Sequence, residues 1–126
     1  MITIALASCL LGTTPSFAAL NTDGSDTPLA VIVKIAIPKD IPRAAIEAEF
    51  QKAAPVYQAI PGLMRKYFTI AEDGKVGGIY LWENCMTAEA FYNDAWKASV
   101  EKKYGVKAEI QWFYAPTIIE GVSLKK

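Results

Sequence analysis

The stretch LMRKYFTIAEDGKVGGIYLWE, from Leu63 to Glu83, indicates the fold most directly. Residues 63–71 and 76–83 are rich in β-branched and aromatic side chains, which is typical of strands. Between them, residues 72–75 read EDGK, and an Asp-Gly pair between two such runs favours a tight hairpin loop. We therefore predict two antiparallel strands, 63–71 and 76–83, joined by this loop.

A further strand is predicted upstream, where residues 29–37 read LAVIVKIAI and are followed by Pro38. Its alternate residues form two sets, and both sets are largely apolar, which is typical of a central strand covered on both faces. Lys34 interrupts one of these sets in the middle of the strand. We expect Lys34 either to be buried with a lowered pKa or, more simply, to lie at an edge or pair with Glu83 or Glu109.

The first helix is predicted between these strands. Asp40 or Ile41 is expected at its N-cap, with Pro42 in the first turn, where the missing N–H of proline is tolerated. Apolar side chains then recur at helical spacing from residue 46 to residue 57. Pro55 is expected to end or kink this helix, because proline cannot donate a backbone hydrogen bond inside it.

A second helix and a last strand are predicted downstream. Thr87 is expected to cap a helix that continues to Tyr104, where Gly105 ends it. Residues 107–115 are expected to form the fourth strand, which Pro116 stops. The order strand, helix, strand, strand, helix, strand predicts an α+β fold, the ferredoxin-like βαββαβ plait.

A sheet of this kind carries both helices on one face. Whichever set of alternate residues the helices cover, the other set contains large apolar side chains, and an exposed apolar face favours a partner. We therefore expect a homodimer that packs sheet on sheet through the open face.

Residues 1–19 contain no charged side chain and begin with an apolar run like that of a secretory signal peptide. Residues 16–18 place small side chains at the two positions that a signal peptidase reads, so cleavage is predicted after Ala18. The protein is therefore expected to be exported, to a bacterial periplasm. The predicted organisation is a signal peptide at 1–19, a linker at 20–28, a ferredoxin-like domain at 29–117 and a C-terminal tail at 118–126.

The segment Leu6-Ala7-Ser8-Cys9 offers an alternative, because it resembles a bacterial lipobox in which Cys9 carries the lipid. Lipidated Cys9 would attach the protein to a membrane. Few residues precede Cys9, so ordinary cleavage after Ala18 is favoured. The segment departs from the usual signal-peptide pattern in that no Lys or Arg precedes the apolar run. Cleavage would leave Cys85 as the sole cysteine, and without basic neighbours it is expected to be buried and inert.

The charge composition narrows the possible ligands. Lys plus Arg and Asp plus Glu are both 13, so the formal net charge is zero, and no dense basic run is present. The sequence therefore lacks the cluster of basic residues that is typical of nucleic-acid-binding proteins. The chain has no histidine, which removes the commonest metal ligand and the usual general base at neutral pH. We expect no nucleic acid, metal or cofactor among its ligands.

Three segments together resemble one family: PGLMRK at 61–66, GGIYLW at 77–82 and TAEA at 87–90. The chain resembles the YdhR-type monooxygenases of the dimeric α/β-barrel superfamily over about residues 29–117. The resemblance implies a homodimer with facing sheets, a pocket between sheet and helices in each subunit, and cofactor-independent oxygenation of a small aromatic or quinol-like compound. A non-catalytic small-ligand-binding module, and an isomerase or lyase that uses the same pocket, are the alternatives.

Cofactor-free oxygenation needs a site that excludes water, holds an aromatic substrate and stabilises its electron-rich anion. Lys66 and Tyr80 are the candidate catalytic residues, since the amino group of Lys66 can steady an anion by a charge-assisted hydrogen bond. Arg65 is expected on the opposite sheet face, at the strand edge. Aromatic side chains predict the pocket walls, with packing in the core or dimer interface as the competing interpretation. The candidate pocket residues are Tyr67, Tyr80, Trp82, Tyr92, Trp96 and Trp112, of which Tyr67, Tyr80 and Trp82 are expected to share one sheet face.

Overall fold

The computed structural model describes residues 26–124 of the chain, which form an α+β fold. A sheet of four antiparallel strands packs with three helices. The predicted signal peptide, the lipobox at Cys9 and most of the predicted linker lie outside the described residues. In chain order the elements are β1 (Leu29–Ile35), α1 (Arg43–Gln58), β2 (Leu63–Ile70), β3 (Val76–Trp82), α2 (Cys85–Phe91), α3 (Asp94–Tyr104) and β4 (Glu109–Tyr114).

The strands lie in the order β2-β3-β1-β4, so β1 is central, as predicted. Its pairing with both neighbours is antiparallel, with Val31 opposite Tyr80 on β3 and Trp112 on β4. β2 and β3 form the predicted hairpin, in which Ile70 lies opposite Val76. In the loop, Gly74 has a φ of 90°, a left-handed conformation that favours glycine.

Helix α1 begins and ends differently from the prediction. Pro42 occupies the N-cap position, and its carbonyl oxygen accepts hydrogen bonds from the backbone N–H groups of Ala45 and Ile46. The predicted cap at Asp40 or Ile41 is therefore wrong. The helix also continues past Pro55 to Gln58. Pro55 lies on the exposed side of the helix, where water can satisfy the carbonyl group that the missing N–H leaves without a partner.

The predicted second helix is two helices, which is a correction to the sequence analysis. Asn84, and not Thr87, caps α2, because its side-chain oxygen accepts a hydrogen bond of 3.0 Å from the N–H of Thr87. Asn93 caps α3 in the same way, accepting from the N–H of Trp96 at 2.9 Å. Tyr92, between the two helices, has non-helical dihedral angles. Asparagine favours caps because its side chain competes for backbone donors.

The sheet has a helix-side face and an open face. The helix-side face contains Leu29, Val31, Val33 and Ile35 of β1, all buried. Side chains from all three helices pack against it, among them Ile46, Phe50, Tyr57, Phe91 and Trp96. On the open face of β1, Ala30, Ile32 and Lys34 are only partly buried. Helices of the described chain therefore cover one face of β1, and covering of the second face stays a prediction.

Two other predictions concern Cys85 and the C-terminal tail. Cys85 is buried, as expected, and it is disulfide-bonded in the uncleaved chain; the expectation of an inert thiol concerns the cleaved chain and stays a prediction. β4 ends at Tyr114, and residues 115–124 contain no helix or strand. The tail exposes apolar side chains, with Ile119 at 82% and Val122 at 95% of full exposure. It contacts the sheet edge through an ion pair of 3.8 Å between Arg65 and Glu120.

Candidate functional site

A cavity of about 520 Å³ lies between the helix-side face of the sheet and the helices. Its wall is mainly apolar, and charged side chains contribute at only a few positions, Glu49, Lys66 and Lys103. Glu49 pairs with Lys52 on the outside of α1, at 3.4 Å. A volume of this size is typical of sites for small organic molecules. The aromatic side chains of the wall include Phe50, Tyr57, Phe68, Tyr80, Phe91 and Trp96.

The amino group of Lys66 lies among three of these rings. Its Nζ atom is 3.2 Å from the ring centroid of Tyr57, 4.0 Å from that of Phe68 and 4.5 Å from that of Tyr80. Lys66 lies directly opposite Tyr80 in the β2–β3 ladder, and Phe68 lies opposite Gly78. The strand register therefore brings the amine and two of its three rings together, and α1 supplies the third ring.

Burial lowers the pKa of Lys66 to about 7. Other lysines of the described chain form ion pairs with carboxylates, including Lys34, Lys52 and Lys75. No ion pair or hydrogen bond joins Lys66 to any of the residues in the described range 26–124. The ring faces attract an ammonium group by about 0.5–2 kcal/mol, which is weaker than the hydration that burial removes. The amine is therefore present in both protonation states near neutral pH.

Tyr80 is buried beside Lys66, with 3% of its surface exposed. Burial raises the pKa of Tyr80, and the neighbouring Tyr57 adds to this effect. The phenol therefore keeps its proton at neutral pH, so it can donate a hydrogen bond to a ligand but cannot act as a base. Of the two candidate catalytic residues, only Lys66 has the protonation state that a base requires.

Trp82, Tyr92 and Trp112 pack in the core next to the cavity and are not part of its wall. Trp82 Nε1 donates a buried hydrogen bond of 3.1 Å to the hydroxyl oxygen of Tyr92. Tyr92 also contacts Trp112, with ring centroids 5.5 Å apart. This bond and these contacts indicate a structural role for all three side chains. Trp96, by contrast, lines the cavity.

Tyr67 is on the open face, so the prediction that it shares a face with Tyr80 and Trp82 is wrong. The hairpin places Ile70 opposite Val76, and Tyr67 is consequently opposite Ile79. Residues directly opposite one another share a face of the sheet, and adjacent residues alternate. Tyr67 is 52% exposed and accepts a hydrogen bond of 3.3 Å from Arg65. Arg65 and Lys66 lie on opposite faces, as predicted.

Tyr57, Phe68 and Gly78 are the residues of this site that sequence reasoning missed. Tyr57 belongs to the predicted apolar side of α1, and Phe68 has the same strand parity as Lys66, so both were open to prediction. Gly78 has a role that only the packing reveals. A Cβ atom at this position would lie 2.7 Å from Cε of Lys66, so glycine leaves the space that the lysine side chain occupies.

Lys34 is outside this site. It lies on the open face and pairs with Asp73 at 3.2 Å, and not with Glu83 or Glu109 as predicted. Among residues 26–124 there is no cluster of three or more His, Cys, Asp or Glu side chains placed to hold a metal ion. Within the same range, no helix has the length and hydropathy needed to cross a membrane.

Comparisons of the chain with family models, curated proteins and solved structures found no match. The resemblance to the YdhR-type monooxygenases therefore stays a prediction.

Proposed function

We propose that this protein is a cofactor-independent monooxygenase that binds a small, weakly acidic aromatic compound, such as a quinol, in the cavity beside Lys66. The observation that carries the proposal is a half-buried amine that lies among three aromatic rings and whose pKa is about 7. A base with a pKa near the working pH is the most effective proton acceptor at that pH. The aromatic wall suits a planar aromatic substrate.

The proposed reaction begins when unprotonated Lys66 accepts the acidic proton of the bound compound. The resulting ammonium is attracted by the rings of Tyr57, Phe68 and Tyr80, and it forms a charge-assisted hydrogen bond with the substrate anion. Tyr80, which keeps its phenolic proton, adds a second hydrogen-bond donor to the cavity wall. The electron-rich anion then reduces molecular oxygen. One oxygen atom enters the product and the other leaves as water, with two hydrogens from the substrate.

Oxygen uptake with a panel of hydroquinones and anthrones, in the presence of a metal chelator, tests this proposal. We expect substrate-dependent uptake by the wild-type protein, and a loss of about 100-fold or more in Lys66→Met, as is usual for removal of a general base. The rate should rise with pH around the pKa of Lys66, about 7. Lys52→Met is the matched control, because Lys52 is 77% exposed and lies outside the cavity.

Two results would contradict the oxygenase proposal. One is the absence of uptake with every compound of the panel, and the other is undiminished uptake in Lys66→Met. Tight binding of the same compounds without uptake, followed through tryptophan fluorescence, to which Trp96 in the cavity wall contributes, would instead identify a non-catalytic binding module. The cavity favours that alternative over an isomerase or lyase, because its wall has one amine with a pKa near neutrality and no acid of matching pKa beside it.

We also propose that the fold is the ferredoxin-like plait and that two copies pair through the open face. The order β2-β3-β1-β4 and the helices on one face support the plait. The open face exposes three large side chains, Tyr67 at 52% on β2, Ile79 at 39% on β3 and Phe113 at 44% on β4. Such a surface favours association, and a two-fold axis would place like residues against each other.

Light scattering after gel filtration tests the dimer. We expect twice the monomer mass for the wild-type chain and the monomer mass for Ile79→Asp, because a carboxylate buried between two sheets lacks a partner. Met86→Asp is the control, since Met86 is 57% exposed on α2, away from the sheet. A wild-type chain that elutes as a stable monomer at high concentration would rule out this interface.

Export, with removal of the segment up to Ala18, is proposed from the sequence. The disulfide at Cys85 does not support this cleavage, because Cys9, the other cysteine of the sequence, lies in the segment that would be removed. Intact mass of the protein recovered from a bacterial periplasm tests both points. A mature chain that begins at Ala19 supports cleavage, and a lipid adduct at Cys9 supports the lipobox. Retention of Cys9 in an unmodified chain, bonded to Cys85, would show that the segment is not removed.

A further inference from the structure

The amine of Lys66 meets three requirements of a nucleophile for carbonyl compounds. First, a fraction of it is unprotonated at neutral pH, since its pKa is about 7. Second, no carboxylate of the described chain pairs with it, whereas Lys34, Lys52 and Lys75 each have such a partner. Third, the amine borders a cavity of about 520 Å³, which leaves room for a ligand beside it.

Gly78 has no Cβ atom, and the space that this leaves is occupied by the side chain of Lys66. The Lys66 side chain crosses β3 at Gly78, where a Cβ atom would come within 2.7 Å of Cε and within 3.2 Å of the Tyr80 ring. The lysine chain is therefore confined between β3 and the ring of Tyr57, which lies 3.2 Å from Nζ. A confined amine loses less conformational freedom when it forms a bond, which favours reaction at this position.

We propose that Lys66 is a carbonyl-binding nucleophile, which condenses with an aromatic aldehyde in the cavity to form an imine. Nζ attacks the carbonyl carbon and a carbon–nitrogen bond forms. After protons pass from nitrogen to oxygen, the carbon–oxygen bond breaks and water leaves. The step consumes one aldehyde and releases one water, and it needs no oxidant or reductant.

The surroundings of Lys66 also favour the product. A protonated imine is a cation, and the three rings that attract the ammonium attract this cation as well. The mainly apolar wall can also pack against the aromatic ring of the imine. The inference uses the cavity and the unprotonated amine on which the proposed function also rests, but it does not require oxygen chemistry.

Reductive trapping tests the inference directly. The protein is incubated anaerobically with benzaldehyde and sodium cyanoborohydride, and the adducts are then located by peptide mapping. We expect the Lys66 peptide to be labelled at least about tenfold more than any surface lysine, because surface amines are almost fully protonated at neutral pH. Labelling of Lys66 should increase between roughly pH 6 and pH 8, as the amine loses its proton.

Variants sharpen the test. Lys66→Met should lose the dominant adduct, and Lys52→Met should keep it. Gly78→Ala leaves the lysine in the chain but displaces its amine, and we expect about tenfold weaker selective labelling. Far-ultraviolet circular dichroism checks that each variant is folded. The wild-type map needs no variant, so equal labelling of all lysines there would overturn the inference by itself.

The labelling test and the oxygen-uptake test can give different results, so each proposal can fail without the other. Selective labelling without oxygen uptake supports the nucleophile and contradicts the oxygenase. Oxygen uptake that depends on Lys66, without selective labelling, supports the oxygenase and overturns the nucleophile. Failure of both tests contradicts both proposals.

Discussion

Lys34 and Lys66 lie on opposite faces of the same sheet, and their amino groups have different surroundings. Lys34 is on the open face, 3.2 Å from the carboxylate of Asp73, and more than a third of its side chain is exposed. Lys66 is on the helix-side face, over three aromatic rings, and burial lowers its pKa to about 7. The two lysines show that the face of the sheet, and not the residue type, decides the chemistry of the amine.

The aromatic residues divide between the faces in the same way. Trp82 and Tyr92 are fully enclosed on the helix side, where they share a hydrogen bond. Tyr67 and Phe113 are about half exposed on the open side. Removing matched residues from the two faces should therefore have unequal effects on stability, which makes the comparison testable.

The largest expected difference is between Trp82→Ala and Phe113→Ala. Trp82 is 0% exposed, so its removal leaves a large cavity and should lower the free energy of unfolding by about 3–5 kcal/mol. Phe113 is 44% exposed, and its removal should cost the isolated chain about 1 kcal/mol or less. Urea denaturation at low protein concentration measures both. Equal losses would show that the open face is as tightly packed as the core.

The second largest difference in stability is expected between Lys66→Met and Lys34→Met. The pKa of Lys66 is lowered from 10.5 to about 7 in the folded state, so the unfolded chain binds more protons between these values. The free energy of unfolding of the wild type should therefore rise as the pH increases from about 7 towards about 10.5. Below about pH 7, Lys66 is protonated in both states, and the full cost of desolvating its ammonium group lowers the stability. Lys66→Met removes this desolvation cost and should raise the free energy of unfolding at low pH by on the order of 3 kcal/mol.

Lys34→Met is the matched control for that prediction. It removes an exposed ion pair with Asp73 and should give no comparable gain in stability and no change in the pH dependence. Thermal or urea unfolding of the three proteins over this pH range gives the result. A wild-type profile that is flat above neutral pH would mean that Lys66 is well hydrated in the folded protein.

The smallest difference in the free energy of unfolding is expected between Tyr92→Phe and Tyr67→Phe. Tyr92→Phe leaves the buried Nε1–H of Trp82 without its acceptor and should lower the free energy of unfolding by about 1–2 kcal/mol. The hydroxyl of Tyr67 meets Arg65 in contact with solvent, so water can replace it and no measurable change is expected. A similar loss in both variants would contradict a special role for the buried pair.

Local rules were enough for the strands and the hairpin, because these depend on residues close in the chain. The Asp-Gly loop and the alternation of apolar residues in 29–37 predicted β1, β2 and β3 to within two residues at each end. They were not enough for the helix ends. Pro42, Asn84 and Asn93 all had other possible roles, and only the observed hydrogen bonds identify which residues cap the helices.

For the site, the sequence alone determined that Lys66 and Tyr80 are strand residues close to many aromatic side chains. It could not show that Lys66 is desolvated, because desolvation depends on how α1 packs against the sheet, which places Tyr57 over the amine. Nor could it place Tyr67, since the face of a strand residue follows from the register with its neighbour. Tertiary structure decided both, because burial and register are properties of paired elements and not of one segment.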